Sequence, residues 1–300
     1  MSLTVAYITN RRDPRVEWFL CSLARELRDG PSYHLVVVDH FANTRPLALP
    51  PGTVHVPPKP NVWNGPHRLT REDWYACSNS RNTALCLARS EWIVYCDDLS
   101  VLLPGWGAAV RAAMAGGYIV AGAYRKVRGL EVENGAVVHF DAGYTDGTDT
   151  RIAACAGRPD PVPANGDWLY GCNLAAPVES LLSINGWDEN CDGVGGEDYC
   201  TGIRLSNAGW PLYYDRRMME WEADELHFVD KPFVRRDKGV SPNDKSHALL
   251  HMARATAWCP NYFGEGGIRL LRDRVLAGEP FPPAIAPEHD FFDGQSLREM

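Results

Sequence analysis

The sequence predicts an α/β protein whose mostly parallel central sheet is covered on both faces by helices. Short, continuously apolar runs recur through the first hundred residues, with amphipathic stretches between them. Strands that are apolar on both sides need cover on both sides, which helices flanking a parallel sheet provide. A second observation concerns where those runs stop. Three of them end in polar groups, at Thr9-Asn10-Arg11, Asp39 and Asp97-Asp98. Ligands of such sheets bind beyond the carboxyl ends of the strands.

Each element has its own signal. Leu3 to Thr9 (LTVAYIT) reads as the first strand. Val16 to Arg28 has helical spacing, with Val16, Phe19, Leu20, Leu23 and Leu27 on one face. Gly30-Pro31 stops that helix, and His34 to Asp39 is a second buried strand. Pro46 to Pro66 is a Pro-rich loop holding one short strand around Val54 to Val56. Ser78 to Ala88 reads as a helix and Trp92 to Asp97 as the third central strand. Strands with Gly- and Asp-rich turns fill Gly117 to Pro163, and GDWLYGCNLAAP leads into Val178 to Ile184. Beyond Met218 charge increases, with helices expected at Ser246 to Ala257 and Gly267 to Ala277 before a Pro-rich tail.

Composition narrows the class. Hydrophobic content of 45% and charged content of 23% suit a globular domain with a buried core. No apolar run reaches the ~18 residues of a membrane span, and MSLTVAYITNRRD lacks the basic and small-residue signals of a secretory leader. The expected compartment is the cytoplasm. Nine cysteines are scattered without a CxxC pair, which reads as reduced thiols rather than a disulfide or zinc framework. A net charge of −8 leans against a general nucleic-acid binder.

The richest stretch is NGWDENCDGVGGED, Asn185 to Asp198, followed by YCTGIRL. It sets Glu197 and Asp198 after Gly195-Gly196, at the entrance to an amphipathic helix. Carboxylates at a helix N-terminus are favoured by its dipole, and an ionised carboxylate can take a proton from a hydroxyl. Trp187 and Trp168 are either platforms for a sugar ring or core residues. His247 and His251, four apart on one helix, have no carboxylate motif nearby and read as structural.

Three stretches in this order, VAYITNRRDPRVEWFLCSL, SNSRNTALCLARSEWIVYCDDLSVLLPGW and GCNLAAPVESLLSINGWDENCDGVGGEDYCTGIRL, resemble the nucleotide-sugar-dependent glycosyltransferases of GT-A fold. The last is similar to the C-terminal half of galactosyl- and N-acetylgalactosaminyl-type transferases. The resemblance implies a Rossmann-like GT-A domain over residues 1–230, with a nucleotide-binding half at 1–115 and an acceptor and catalytic half at 116–230. A helical extension with its Pro-rich tail follows at 231–300.

The resemblance also implies roles. Thr9, Arg11 and Asp39 match the positions that hold the nucleoside; an aspartate accepts a hydrogen bond from a uracil imide, which points to a UDP-linked donor. Arg81 matches an Arg-Asn pair whose guanidinium reaches the diphosphate. Asp97 matches the first aspartate of the family's Asp-x-Asp, but Leu99 stands where the second belongs, leaving Asp98 or the Ser100 hydroxyl to compensate. With Asp97 and Asp98, His227 completes an implied site for a divalent cation, Mn²⁺ or Mg²⁺. Asp198 is implied as general base, with Glu197 on the acceptor hydroxyls and Trp187 beside the donor sugar.

The predicted activity is transfer of a sugar from a nucleotide-sugar to an acceptor hydroxyl with inversion, although some relatives with a similar C-terminal half retain configuration. The acceptor is open: saccharide, lipid, protein or modified DNA base, the last disfavoured by charge. One alternative is a catalytically silent sugar- or nucleotide-binding module, motivated by Leu99 and opposed by Glu197-Asp198. Another, a nucleotidyltransferase, is opposed by the absence of glycine from TNRRDP after the first strand.

Overall fold

The computed structural model describes residues 2–192, 196–229, 233, 244–261 and 263–284. Gly195, the side chain of His247 and the tail after residue 284 lie outside the described residues. The strands are β1 (Leu3–Thr9), β2 (Tyr33–Asp39), β3 (Val54–Val56), β4 (Trp92–Asp97), β5 (Ser100–Leu102), β6 (Ile119–Val127), β7 (Glu131–Glu133), β8 (Ala136–His139), β9 (Val162–Pro163), β10 (Asn173–Pro177) and β11 (Leu212–Ala223). The helices are α1 (Val16–Glu26), α2 (Cys77–Leu87), α3 (Trp106–Gly116), α4 (Thr150–Ala154), α5 (Val178–Ser183), α6 (Glu197–Asn207), α7 (Asp244–Ala255) and α8 (Gly267–Leu276).

The main sheet has the order β3-β2-β1-β4-β10-β6-β11-β5, with β9 also paired to β11. β3, β2, β1 and β4 run parallel, as does β11 beside β6. The short β10 lies antiparallel between β4 and β6 and joins these two blocks.

Alternation along the strands builds two cores. Ala6, Ile8, Val36, Val38, Ile93 and Tyr95 point to one face, where they meet Leu85, Leu181 and Ile268. Val5, Tyr7, Leu35, Val37, Val94 and Cys96 point to the other, against Phe19, Leu23, Trp106 and Val110. Both faces are apolar because a helical layer lies on each. The C-terminal segment contributes Phe263, Ile268 and Leu271 to the first core. Asn185 pins it there, donating to the carbonyls of Cys259 and Asn261 at 2.9 Å and accepting from the Ile268 amide.

The strand ends predicted to carry function converge on one edge. β1 ends at Thr9 and β4 at Asp97, neighbours in the parallel register, and α6 brings Glu197 and Asp198 across from them. Gly196 starts α6 with φ 90°, a conformation that glycine adopts without strain.

Candidate active site

At this edge lies a cleft of about 400 Å³. Its walls include Thr9, Arg11, His40, Asp97, Asp98, Glu197, Asp198, Glu222 and His227. A smaller hollow beside Trp63 and Phe263, of about 60 Å³, has no room for a nucleotide.

Two polar networks shape the cleft. The first is centred on Arg81, whose guanidinium is buried and stacks 4.6 Å from the centre of the Trp187 ring. It donates to Asp198 Oδ1 at 2.8 Å and lies 3.5 Å from both Glu197 and Asp97. The Gly171 amide donates to the same Asp198 oxygen at 2.9 Å. A Cβ on Gly171 would meet the guanidinium, so a larger residue there must push Arg81 aside. Asp198 is therefore fixed through one oxygen while a quarter of its side chain (24%) reaches the cleft. Burial pushes the Asp97 carboxyl up to about 6, helped by the charges of Glu222, Asp98 and Asp198 and opposed by Arg81.

The second network links Thr9, Arg11, Asp98, His227 and Glu222. Thr9 donates to Asp98 Oδ2 at 2.7 Å and Arg11 Nε to Asp98 Oδ1 at 2.9 Å. Another Arg11 nitrogen faces His227 Nδ1 at 3.2 Å. Arginine only donates, so Nδ1 accepts, the proton sits on Nε2, and Nε2 donates to Glu222 Oε2 at 2.7 Å. Burial raises the Glu222 carboxyl, but His227, Lys126 and Arg11 outweigh it and hold it below its ordinary value.

Several expectations need correction. Trp187 is no platform for a sugar: it is fully buried, edge-on to Tyr95 and beneath Arg81. Arg81 is not aimed into the cleft, because a buried guanidinium needs counter-charges and three carboxylates already surround it. Asp39 is fully buried and spent on Arg45, His55 and the Phe41 amide.

The expected cation ligands Asp97, Asp98 and His227 do not converge to within 4.8 Å of one another. Asp98 and His227 are occupied by Arg11 and Glu222, and the Ser100 hydroxyl donates to the Asp97 carbonyl. Leu99, in the left-handed region at φ 62°, is held by Pro14 and Ala223, and its side chain is buried. As arranged, these residues do not fit a divalent cation. Among the described residues, Cys172, Glu220 and Glu222 do bring ligand atoms within 4.8 Å of one another.

Other contributors were not read from the sequence. Tyr124, Tyr170 and Tyr199 form an aromatic wall: the Tyr170 and Tyr199 hydroxyls are 3.3 Å apart, and Arg151 lies 4.0 Å from the Tyr170 ring centre. Tyr199 directly follows the acidic pair, which was a usable signal. Glu220 and Glu222 alternate with Trp221 and Ala223 at the end of β11, and buried charge at that period signals function or pairing. Lys126, also on the cleft, lies 3.7 Å from Glu222.

No protein-family model matches the chain, and no curated protein matches it in sequence. Among solved structures, GalNAc-T7 with UDP, GalNAc and Mn²⁺ matches at a TM-score of 0.50 and 13% identity, over 95% of this chain and 59% of that one. S. aureus TarS 1–349 matches at 0.45 and 12%, over 74% and 60%. The catalytic domain of Drosophila β1,4-galactosyltransferase 7 in complex with xylobiose matches at 0.40 and 13%, over 71% and 64%. The chain spans less than two thirds of each of these proteins. The GalNAc-T7 likeness identifies the class of fold, an α/β domain of GT-A type. No helix among the described residues is long and apolar enough to cross a membrane.

Proposed function

We propose that the protein transfers a sugar from a nucleotide-sugar, UDP-linked, to an acceptor hydroxyl. The observation that carries this reading is the setting of Asp198, fixed by Arg81 and the Gly171 amide yet open to the cleft. A carboxylate so held takes the acceptor proton as the hydroxyl oxygen attacks the anomeric carbon. The bond from that carbon to the diphosphate breaks, its electron pair leaves with the nucleotide, and configuration inverts. Glu197 beside it is placed to orient the acceptor hydroxyls, and Tyr170 and Tyr199 offer ring faces and hydroxyls to a sugar.

The UDP assignment is supported by the fold shared with a protein crystallised with UDP, GalNAc and Mn²⁺. Lys126 and Arg11 are the lysine and arginine lining the cleft, against six carboxylates, Asp97, Asp98, Asp192, Glu197, Asp198 and Glu222. Asp97, Glu197 and Asp198 share Arg81, and Asp98 pairs with Arg11, so a divalent companion of the diphosphate donor, Mn²⁺ or Mg²⁺, is supported by the Mn²⁺ of the GalNAc-T7 structure rather than by unpaired charge in the cleft.

The test is Asp198→Asn. Turnover should fall by about two to four orders of magnitude, while UDP-sugar affinity by calorimetry stays within about twofold. Lost nucleotide affinity in that variant would remove Asp198 from the base role. Buried Leu99 and the locked Asp98 favour a second reading, a silent binding module. Such a module binds UDP-sugar but neither transfers nor hydrolyses it, with or without Mn²⁺.

A further inference from the structure

We propose that Cys172, Glu220 and Glu222 form a binding site for one transition-metal dication of the zinc class, in the floor of the cleft. Glu220 and Glu222 are two apart on β11 and so project from the same face of the sheet. Cys172 immediately precedes β10. The next residue, Asn173, clamps that end to the sheet by donating to the carbonyls of Met218 at 2.8 Å and Ala123 at 3.0 Å. One ligand atom from each of the three lies within 4.8 Å of the others. Tetrahedral zinc ligands with bonds of about 2.0–2.3 Å stand roughly 3.3–3.8 Å apart, so this set must close by up to about 1 Å to coordinate.

An independent observation points to a missing ligand. Glu220 is 0% exposed, and beyond Cys172 and Glu222 themselves its carboxyl oxygens have no hydrogen-bond partner among the described residues. Buried carboxyl groups are costly without partners, and a cation held with Cys172 and Glu222 supplies one.

The surroundings favour metal over an isolated acidic pair. His227 donates to Glu222 Oε2 at 2.7 Å, the outer-sphere contact that typically orients a ligating carboxylate. Cys172 and Glu222 both line the cleft, so an ion has a route in and coordination positions facing solvent. One sulfur and two carboxylate oxygens suit Zn²⁺ or Co²⁺, whereas Mg²⁺ requires an oxygen shell. Cys172 binds as thiolate, so its proton is released to solvent on loading. The site rests on this geometry alone and stands whether or not the cleft transfers sugar.

The experiment is a Co²⁺ titration of the full chain, stripped with EDTA, in the absence of donor and acceptor. The expected result is a near-ultraviolet thiolate-to-cobalt charge-transfer band saturating near one equivalent, matched by one equivalent of zinc on elemental analysis after reloading. Cys172→Ser should abolish the band. Glu220→Gln should weaken cobalt affinity by more than the roughly 10–100-fold typical of an outer-sphere partner. Glu179→Gln, exposed and away from the cleft, should leave the titration unchanged. Circular dichroism in EDTA establishes that each variant is folded. Stoichiometry well below one equivalent in the wild type, or a band that survives Cys172→Ser, overturns the proposal. An unchanged affinity in folded Glu220→Gln also overturns it and leaves a carboxyl pair sharing a proton.

Discussion

Replacing Arg81 with methionine tests the architecture of the cleft most directly. The substitution keeps most of the side-chain volume and removes the charge. It leaves Asp198, previously bonded at 2.8 Å, and Asp97 and Glu197, each at 3.5 Å, without their shared cation. Removing one partner of a buried ion pair costs about 3–5 kcal/mol. Asp97 and Asp198 keep 27% and 24% of their side chains exposed, and water screens what they lose, so the low end of about 3 kcal/mol applies. For a chain of this size that lowers Tm by about 6 °C.

The deficit also has a pH signature. Asp97, already pushed up to about 6 with Arg81 opposing the shift, rises further without it. The loss is then full at pH 8 and shrinks as pH falls and Asp97 takes up its proton. Thermal unfolding by circular dichroism at pH 8 and pH 5, with transfer assayed in parallel, measures both effects. A variant melting within ~2 °C of wild type at pH 8 with transfer intact would refute the reasoning. So would a deficit of equal size at both pH values.

Two further outcomes follow from neighbouring residues. Gly171→Ala places a Cβ against the guanidinium, so transfer should fall at least ~10-fold through displacement of Asp198, read as kcat loss with donor Kd unchanged. Burial lowers His40 to about 4, so the unfolded chain binds its proton between pH 6.5 and 4 and the fold does not. Stability is therefore lost as pH falls below 6.5, and His40→Gln should recover about 1–2 kcal/mol at pH 5 and none at pH 7.5, measured by urea unfolding.

The sheet was legible because its signals are local. Leu3 to Thr9 and Trp92 to Asp97 are strands with the predicted bounds, since an apolar run and its polar stop are both visible in one dimension. Which polar residues meet was less legible. Thr9, Arg11, Asp97, Asp98, Glu197, Asp198 and His227 do line one cleft, but their partnerships depend on side-chain reach. Arg81 has the composition of a surface charge and becomes the buried centre of three carboxylates. Trp187 is read equally well as platform or core until the α2–β4 face closes over it. Glu220 was missed because acidic residues among the charges of Asp215 to Glu222 declare neither their burial nor their neighbours.

The five-residue strand β10 has a consequence for how the molecule is made. It is the strand through which the block ending in β4 pairs with the block beginning at β6, yet it is synthesised long after β4. During translation, β4 emerges with Ile93, Val94 and Tyr95 along an edge whose partner does not yet exist. Such an edge invites pairing with other chains. Closing it requires a long loop to be drawn shut before any contact repays the entropy. The two sides of the cleft are therefore paired through β10 only after that strand has been made.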